Sequence, residues 1–136
     1  MHGRGDLIRA VMEGVSYSQR QCLDILREMG VAPDHIMACG GGGRSPFWRQ
    51  MLADVLGCNV QTAKAAQEGP ALGAAILAGV CAGVYPDVPT ACDAIVHPDQ
   101  SCAPNGADST RYEPFYRLYT ELYPALRDGF SQLYDL

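Results

Sequence analysis

The 136-residue chain is long enough for one hydrophobic core, and a composition of 48% hydrophobic and 18% charged residues predicts a folded domain. Its net charge is −5, and it has no basic stripe interleaved with aromatic residues, so nucleic acid is not an expected partner. Its most apolar stretch, residues 71–85, is 15 residues long. That is shorter than a membrane-spanning helix, so no membrane partner is expected either.

The six cysteines predict neither a disulfide framework nor a zinc site. They lie 10 to 23 residues apart, without a Cys-x₂-Cys pair or a nearby His-x₃-His pair. Four of them fall in apolar segments, where cysteine behaves as a small hydrophobic residue. We therefore expect reduced, buried thiols, a cytoplasmic protein and no metal site. The positions are Cys22, Cys39, Cys58, Cys81, Cys92 and Cys102.

The first predicted elements are a long helix and a short strand. Apolar residues recur with the helical period from Asp6 to Met29, with Asp6 as the expected N-cap and Gly30 at the expected stop. The short apolar run "HIMAC" (35–39) follows a turn and precedes a second helix. It predicts a buried strand.

The second helix begins at a clear capping signal. Ser45 is a favoured N-cap residue, Pro46 suits the first helical position, and Gly57 ends the apolar periodicity. The run "CNVQT" (58–62) then predicts a second short strand.

The second half of the chain predicts helices separated by an irregular region. Small residues fill a predicted buried helix over 70–83, and prolines make 85–109 irregular apart from a short helix over 90–95. A last helix carries the aromatic residues of 112–126, with Pro124 expected to kink it. This alternation predicts an α/β fold with parallel strands. Two strands leave a sheet edge open, which suggests a fragment or a domain completed by another segment.

The run "CGGGGRSPFW" (39–48) is the candidate site. The dinucleotide fingerprint G-x-G-x-x-G fails because Ser45 and Pro46 stand where its last glycine belongs. A Walker loop fails because no lysine follows the glycines. Two interpretations stay open at this point. One is a strand-to-helix turn whose bare backbone approaches an anion, and the other is a tight turn without a ligand.

Four stretches together give a specific resemblance. "DLIRAVMEGV" (6–15), "CGGGGRSPFWRQMLADVLGCNV" (39–60), "EGPALGAAILAGVCAGVYPDV" (68–88) and "YEPFYRLYTELYPALR" (112–127) occur in this order. In this they resemble the C-terminal domain of the FGGY carbohydrate kinases, and the xylulokinases among them most. The resemblance covers essentially the whole chain and departs mainly in the loop 96–110.

This resemblance implies a fold and a nucleotide site. The family belongs to the actin/hexokinase superfamily, so residues 1–136 would form part of a ribonuclease H-like, nucleotide-binding lobe with few parallel strands covered by helices. Gly40, Gly41, Gly42 and Ser45 would line the nucleotide site. Trp48 would pack in the core or beside the adenine, and Arg44 is either near a phosphate or solvated. The whole enzyme would use ATP and Mg²⁺ to phosphorylate a ketopentose.

The resemblance also implies what lies outside the chain. The family's general base is an aspartate of the N-terminal lobe, so no catalytic or metal-binding residue is assigned here and the chain alone is expected to be inactive. Asp54 is expected to be a solvated helix residue, and Glu68 a cap at a helix entry. Alternatives are a kinase for gluconate, ribulose or glycerol, or a non-catalytic nucleotide-binding or assembly module. A homodimer is expected, because the open sheet edge and the first helix leave apolar surface uncovered.

Overall fold

The computed structural model describes residues 3–64 and 69–134, so the capping role predicted for Glu68 lies outside the described residues. Helices and strands follow one another along these residues. In chain order they are α1 (Arg4–Glu28), β1 (His35–Met37), α2 (Gly40–Arg44), α3 (Pro46–Leu56), β2 (Asn59–Ala63), α4 (Pro70–Cys81), α5 (Val88–Ile95), β3 (Pro98–Cys102) and α6 (Gly106–Tyr134).

The chain divides into two compact units, which are described separately. The helical unit comprises Met1–Ala32, Asp54–Gly57 and Pro104–Leu136, and it contains α1 and α6. The sheet unit comprises Pro33–Ala53 and Cys58–Ala103, and it contains the three strands. No helix in the described part of the chain combines the length and apolarity that crossing a membrane requires.

Helix α1 confirms the predicted periodicity, but it begins earlier than predicted. Gly3 is its N-cap, and Asp6 lies three residues inside, where its carboxylate accepts the Gly3 N–H at 2.8 Å. Asp6 therefore supports the helix start without being the N-cap. The stop at Gly30 is confirmed: Gly30 has a φ of +87°, and its N–H donates to the Arg27 carbonyl at 3.0 Å. Glycine is favoured in this left-handed position.

A cluster of tyrosines joins α1 to α6 in the helical unit. Tyr17 is buried, with ring centroids 6.2 Å from Tyr112, 5.9 Å from Tyr116 and 5.4 Å from Tyr119. Spacings of this order are typical of aromatic pairs that attract one another beyond their buried area. The predicted aromatic helix is thus confirmed. It starts at Gly106, within the stretch predicted to be irregular, and Pro124 lies inside it.

Charged side chains complete the contact between these two helices. The Arg20 guanidinium lies 3.9 Å from the Tyr116 ring centroid and donates to Glu113 at 2.7 Å. The Tyr116 hydroxyl donates to Asp24 at 2.7 Å. Arg20 thus combines a cation–π contact with an ion pair, and the aromatic contact is one that lysine makes less well.

The sheet is mixed: the predicted parallel pair of β1 and β2 is confirmed, and a third strand that was not predicted joins it. Strand β2 is central: β1 pairs with it in parallel, and β3 pairs with it antiparallel on the other side. In register, Ile36 is opposite Val60, and Val60 is opposite Cys102. Strand β3 lies in the region predicted to be a loop. Its sequence "PDQSC" has almost no apolar residue and four of its five positions are exposed, so backbone pairing with β2 forms it.

The core of the sheet unit is small. Its buried apolar side chains are Met51, Ala53, Cys58, Val60, Ala63, Ile76 and Ala91. Helix α4 contributes only Ile76 to this set, and Leu77 beside it is 57% exposed. The prediction of a buried helix over 70–83 is therefore wrong within this chain. Small residues give α4 little side-chain area to bury, although α4 does pack against α5.

Two further predictions about burial are corrected. Asp54 was expected to be solvated, but it is 5% exposed and its carboxylate accepts the Asn105 N–H at 2.7 Å within the helical unit. The six cysteines were expected to be buried, but only Cys58 is, and Cys92 and Cys102 are half-buried. Cys22, Cys39 and Cys81 are exposed.

Ionisation of the tyrosine cluster should weaken the helical unit at alkaline pH. Burial raises the pKa of Tyr17 to about 12, and burial together with the hydrogen bond to Asp24 raises the pKa of Tyr116 as well. Because these folded-state pKa values lie above the unfolded value, the stabilisation is complete below about pH 10 and is lost as the pH rises toward 12. Urea unfolding followed by circular dichroism between pH 8 and 11.5 measures this loss.

Two tyrosine variants provide the controls for that experiment. Tyr17→Phe should reduce the slope of unfolding free energy against pH, because the variant has no proton to lose at this position. Tyr134→Phe removes a side chain that is 91% exposed and should leave the slope unchanged. Equal slopes for wild type and Tyr17→Phe would contradict the prediction.

Candidate functional site

The glycine segment, residues 40–45, connects β1 to α3 in the sheet unit. It was predicted to be a turn, but Gly40–Arg44 form the short helix α2. Gly40 has a φ of +71°, which lets the chain leave the strand direction, and the Ser45 N–H donates to the Gly42 carbonyl at 3.2 Å. The turn therefore occupies one residue, and the other glycines are helical.

The structural basis for the presence of glycine differs among the four positions 40–43. Gly40 needs its positive φ. A Cβ on Gly43 would lie 2.8 Å from the carbonyl oxygen of Ala38, and one on Gly42 would lie 3.2 Å from the Trp48 ring. A Cβ on Gly41 would meet nothing within 4 Å. Backbone conformation or packing thus accounts for three of the glycines, and Gly41 is exposed without an internal reason.

Ser45 is the N-cap of α3, as predicted. Its Oγ accepts the Trp48 N–H at 3.3 Å, and its carbonyl accepts the Arg49 N–H at 2.9 Å. Pro46 is the first residue of the helix, where its missing N–H costs nothing. Trp48 is partly buried, and its ring packs on Gly42, so its side chain helps to fix the glycine segment.

Arg49 is the residue that sequence reasoning missed. It is only 6% exposed. Its guanidinium donates to the Gly43 carbonyl at 2.7 Å through one terminal nitrogen and to the Gln100 side-chain oxygen on β3 through the other. An arginine one turn into an amphipathic helix looks like a solvated residue, because the polar strand it reaches was not predicted. The sequence offered one signal for Arg49: it lies four residues after the predicted N-cap Ser45, and therefore one helical turn from the glycine segment.

An open cleft of about 220 Å³ lies beside the glycine segment within the sheet unit. Gly40 is the one proposed nucleotide-site residue that lines it; Gly41, Gly42 and Ser45 lie in the same segment but outside the lining. Two arginines and one aspartate are among its lining residues, so its formal charge favours an anion. The lining residues are Ala38, Gly40, Gly43, Arg44, Pro46, Arg49, Thr62, Ala63, Asp99 and Gln100.

The described residues do not bring three potential metal-binding side chains (His, Cys, Asp or Glu) together. Asp99 is the carboxylate of the cleft, whereas Asp54 lies in the helical unit and is occupied in capping the Asn105 N–H. The lining of the cleft therefore combines backbone, arginine and amide groups with the single aspartate Asp99.

Comparison with known proteins assigns this arrangement to a family. Residues 2–82 match the C-terminal domain of the FGGY family of carbohydrate kinases. The chain belongs to this family. The matched stretch runs from α1 through α4 and includes the whole glycine segment.

Three relatives illustrate the likeness. The xylulose kinase of Staphylococcus epidermidis is 34% identical over 122 residues, which is 90% of this chain and 24% of the relative. The ligand-bound xylulose kinase structure from Lactobacillus acidophilus covers 98% of this chain and 27% of that one, at 28% identity and a TM-score of 0.83. The structure of gluconate kinase from the same organism covers 97% of this chain and 26% of its own chain, at 27% identity and a TM-score of 0.83.

These likenesses confirm the predicted α/β fold of the actin/hexokinase type. The sheet of this FGGY domain differs from the prediction by its third, antiparallel strand. The chain spans about a quarter of the length of the relatives that it matches.

Gly41 and Gly43, two glycines of α2, should respond differently to substitution by alanine. Gly43→Ala forces its Cβ against the Ala38 carbonyl, and we expect it to lower the free energy of unfolding by about 1–3 kcal/mol. Gly41→Ala adds a Cβ in open space within a helix, and it should leave stability unchanged or raise it by up to about 1 kcal/mol. Urea unfolding of both variants beside wild type measures the difference, and equal effects would contradict the assigned packing.

Proposed function

We propose that this chain is the nucleotide-binding C-terminal part of a sugar kinase that transfers the γ-phosphate of ATP to a hydroxyl group of a ketopentose. The observation that carries the proposal is the match of residues 2–82 to the FGGY C-terminal domain. Residues 1–136 would all belong to that lobe. The catalytic base and the sugar contacts would come from other parts of the kinase, so the chain alone would not transfer phosphate.

The nucleotide site of this proposal is the glycine segment. Gly41 is exposed, and no neighbour within 4 Å requires a glycine there. Bare backbone at that point leaves room for a ligand to approach, with Gly40 and Gly42 on either side and Ser45 at the start of α3. Ser45 would thus have two roles, as a helix cap and as a neighbour of the nucleotide.

The cleft beside the segment suits the phosphate end of the nucleotide. Its volume of about 220 Å³ is below the roughly 300–1,000 Å³ of typical small-molecule sites, so it would hold a part of the ligand. Arg44 and Arg49 supply positive charge there. Mg²⁺ would enter with the phosphates, since this metal binds through substrate phosphates and few carboxylates.

The names of the relatives support xylulose as the sugar and xylose metabolism as the setting. Gluconate is the second candidate, because a gluconate kinase structure matches with the same TM-score of 0.83. No disulfide joins any two of the six described cysteines, which is usual in a reducing compartment, and we propose the cytoplasm.

Nucleotide binding is tested by titrating the isotopically labelled chain with ADP and following amide signals by nuclear magnetic resonance. We expect shifts concentrated in residues 40–45, and Gly41→Val should weaken ADP binding at least several-fold because its side chain fills the approach. Gly129→Val is the matched control, since Gly129 is also helical with open space around it. Shifts spread over the chain, or equal affinity of Gly41→Val and wild type, would contradict the site.

We also propose that the chain associates as a homodimer through α1. Leu7, Ile8 and Val11 are 66%, 62% and 69% exposed, and they form an apolar row near the start of this helix. Light scattering should report twice the chain mass of 14.6 kDa, and changing Ile8 and Val11 together to glutamine should reduce it to a monomer. Phe130→Gln alters an exposed residue of α6 and should leave the dimer intact. A wild-type monomer would contradict the proposal.

A further inference from the structure

We propose that Arg49 is a positioning residue for the nucleotide site: it ties the glycine segment to β3 and supplies the positive charge that a phosphate group needs. The inference rests on the proposed nucleotide site and adds a residue that lies outside the glycine segment. Three observations carry it, namely the two contacts of the guanidinium, its burial, and the neutral character of its partners.

The contacts of Arg49 join two separate parts of the sheet unit. One terminal nitrogen donates to the carbonyl of Gly43, the glycine that lies closest to the Ala38 backbone. The other donates to Gln100 on β3. The planar guanidinium fixes the angle between its donors, so holding one partner sets the position of the other. Arg49 therefore holds α2 from its C-terminal end, and Ser45 holds the start of α3 next to it.

The charge of Arg49 is buried, and its hydrogen-bond acceptors are neutral. The side chain is 94% removed from solvent, given its 6% exposure, and both of its acceptors are uncharged. Within the described residues it forms no ion pair, and its Nε atom is buried without a hydrogen-bond partner. Asp99 faces the same cleft without pairing with it. Buried arginines are normally paired, so an anion in the cleft would supply the missing counter-charge.

The alternative is a purely architectural role, in which Arg49 joins α3 to β3 and has no effect on the ligand. Gln50 offers the matched comparison, because it lies next in the same helix and its side-chain amide donates to the Ala103 carbonyl just beyond β3 at 2.9 Å. Gln50 thus also links α3 to the end of β3, through a hydrogen bond that does not involve the glycine segment.

The experiment compares four variants of the chain. Arg49→Met removes both contacts and the charge, Arg49→Lys keeps the charge, Gln100→Met removes the anchor on β3, and Gln50→Met is the control. Amide hydrogen exchange of residues 43–45 is measured without ligand. Dissociation constants are then measured for ADP and for adenosine, which lacks phosphate.

We expect exchange in residues 43–45 to become faster in Arg49→Met and Gln100→Met and to remain unchanged in Gln50→Met. ADP binding should weaken by about tenfold in Arg49→Met, as for the loss of one charged hydrogen-bonding group, and by less in Arg49→Lys. Adenosine binding should change less than ADP binding in Arg49→Met. Gln100 is an exposed residue of β3, so Gln100→Met should fold. It therefore tests the positioning role even if Arg49→Met does not fold.

Two results would overturn the inference. Unchanged exchange of residues 43–45 in Gln100→Met, or in a folded Arg49→Met, would refute the positioning role. Equal loss of ADP and adenosine affinity in Arg49→Met would refute the role of its charge. The proposed function is refuted by a different result, namely the absence of an ADP response in residues 40–45 of the wild-type chain. In that case the exchange measurements, which need no ligand, still test the positioning role.

Discussion

The close approach of Gly43 to the backbone of Ala38 is the constraint on which the site depends. It seats α2 against the end of β1 with no room for a side chain between them. Once this contact is fixed, the Gly43 carbonyl accepts a hydrogen bond from Arg49. A single residue, Ser45, then separates the end of α2 from the start of α3. A backbone–backbone contact of this kind is rigid, because neither partner has a rotamer that could move away. The shape of the segment is therefore set by main chain, and side chains stabilise it afterwards.

Sequence reasoning located this segment but did not resolve it. Four glycines in a row predict a special backbone, and Ser45 followed by Pro46 predicts a helix start; both signals are local and both were right. Gly40 is required by a torsion angle, Gly42 by the Trp48 ring, and Gly43 by the carbonyl of Ala38 just after β1. Two of these three are tertiary contacts, which the spacing of residues in the chain does not specify.

The errors in predicting the fold also come from contacts that exist only in the folded state. Helix α1 and the aromatic part of α6 were predicted because apolar residues repeat with the period of the helix. Strand β3 was missed because its polar residues carry no alternation, and the ladder to β2 exists only in the folded state. With β3 unknown, Gln100 could not be placed, and nothing in the sequence distinguished Arg49 from the other arginines. One missed strand thus concealed a residue of the site.

Gly41 differs from the other glycines of α2, because no contact or torsion angle within the described residues requires glycine at this position. A glycine inside a helix costs roughly 0.5–1 kcal/mol relative to alanine, and the other glycines of α2 offset that cost with a contact or a torsion angle that alanine would spoil. Gly41 offsets it with nothing inside the described chain. Positions that break a local rule without a structural gain tend to be functional, since selection for stability alone would replace them. The physical case for a ligand at this segment therefore depends on its least constrained glycine, because the more constrained ones would be required whether or not a ligand binds.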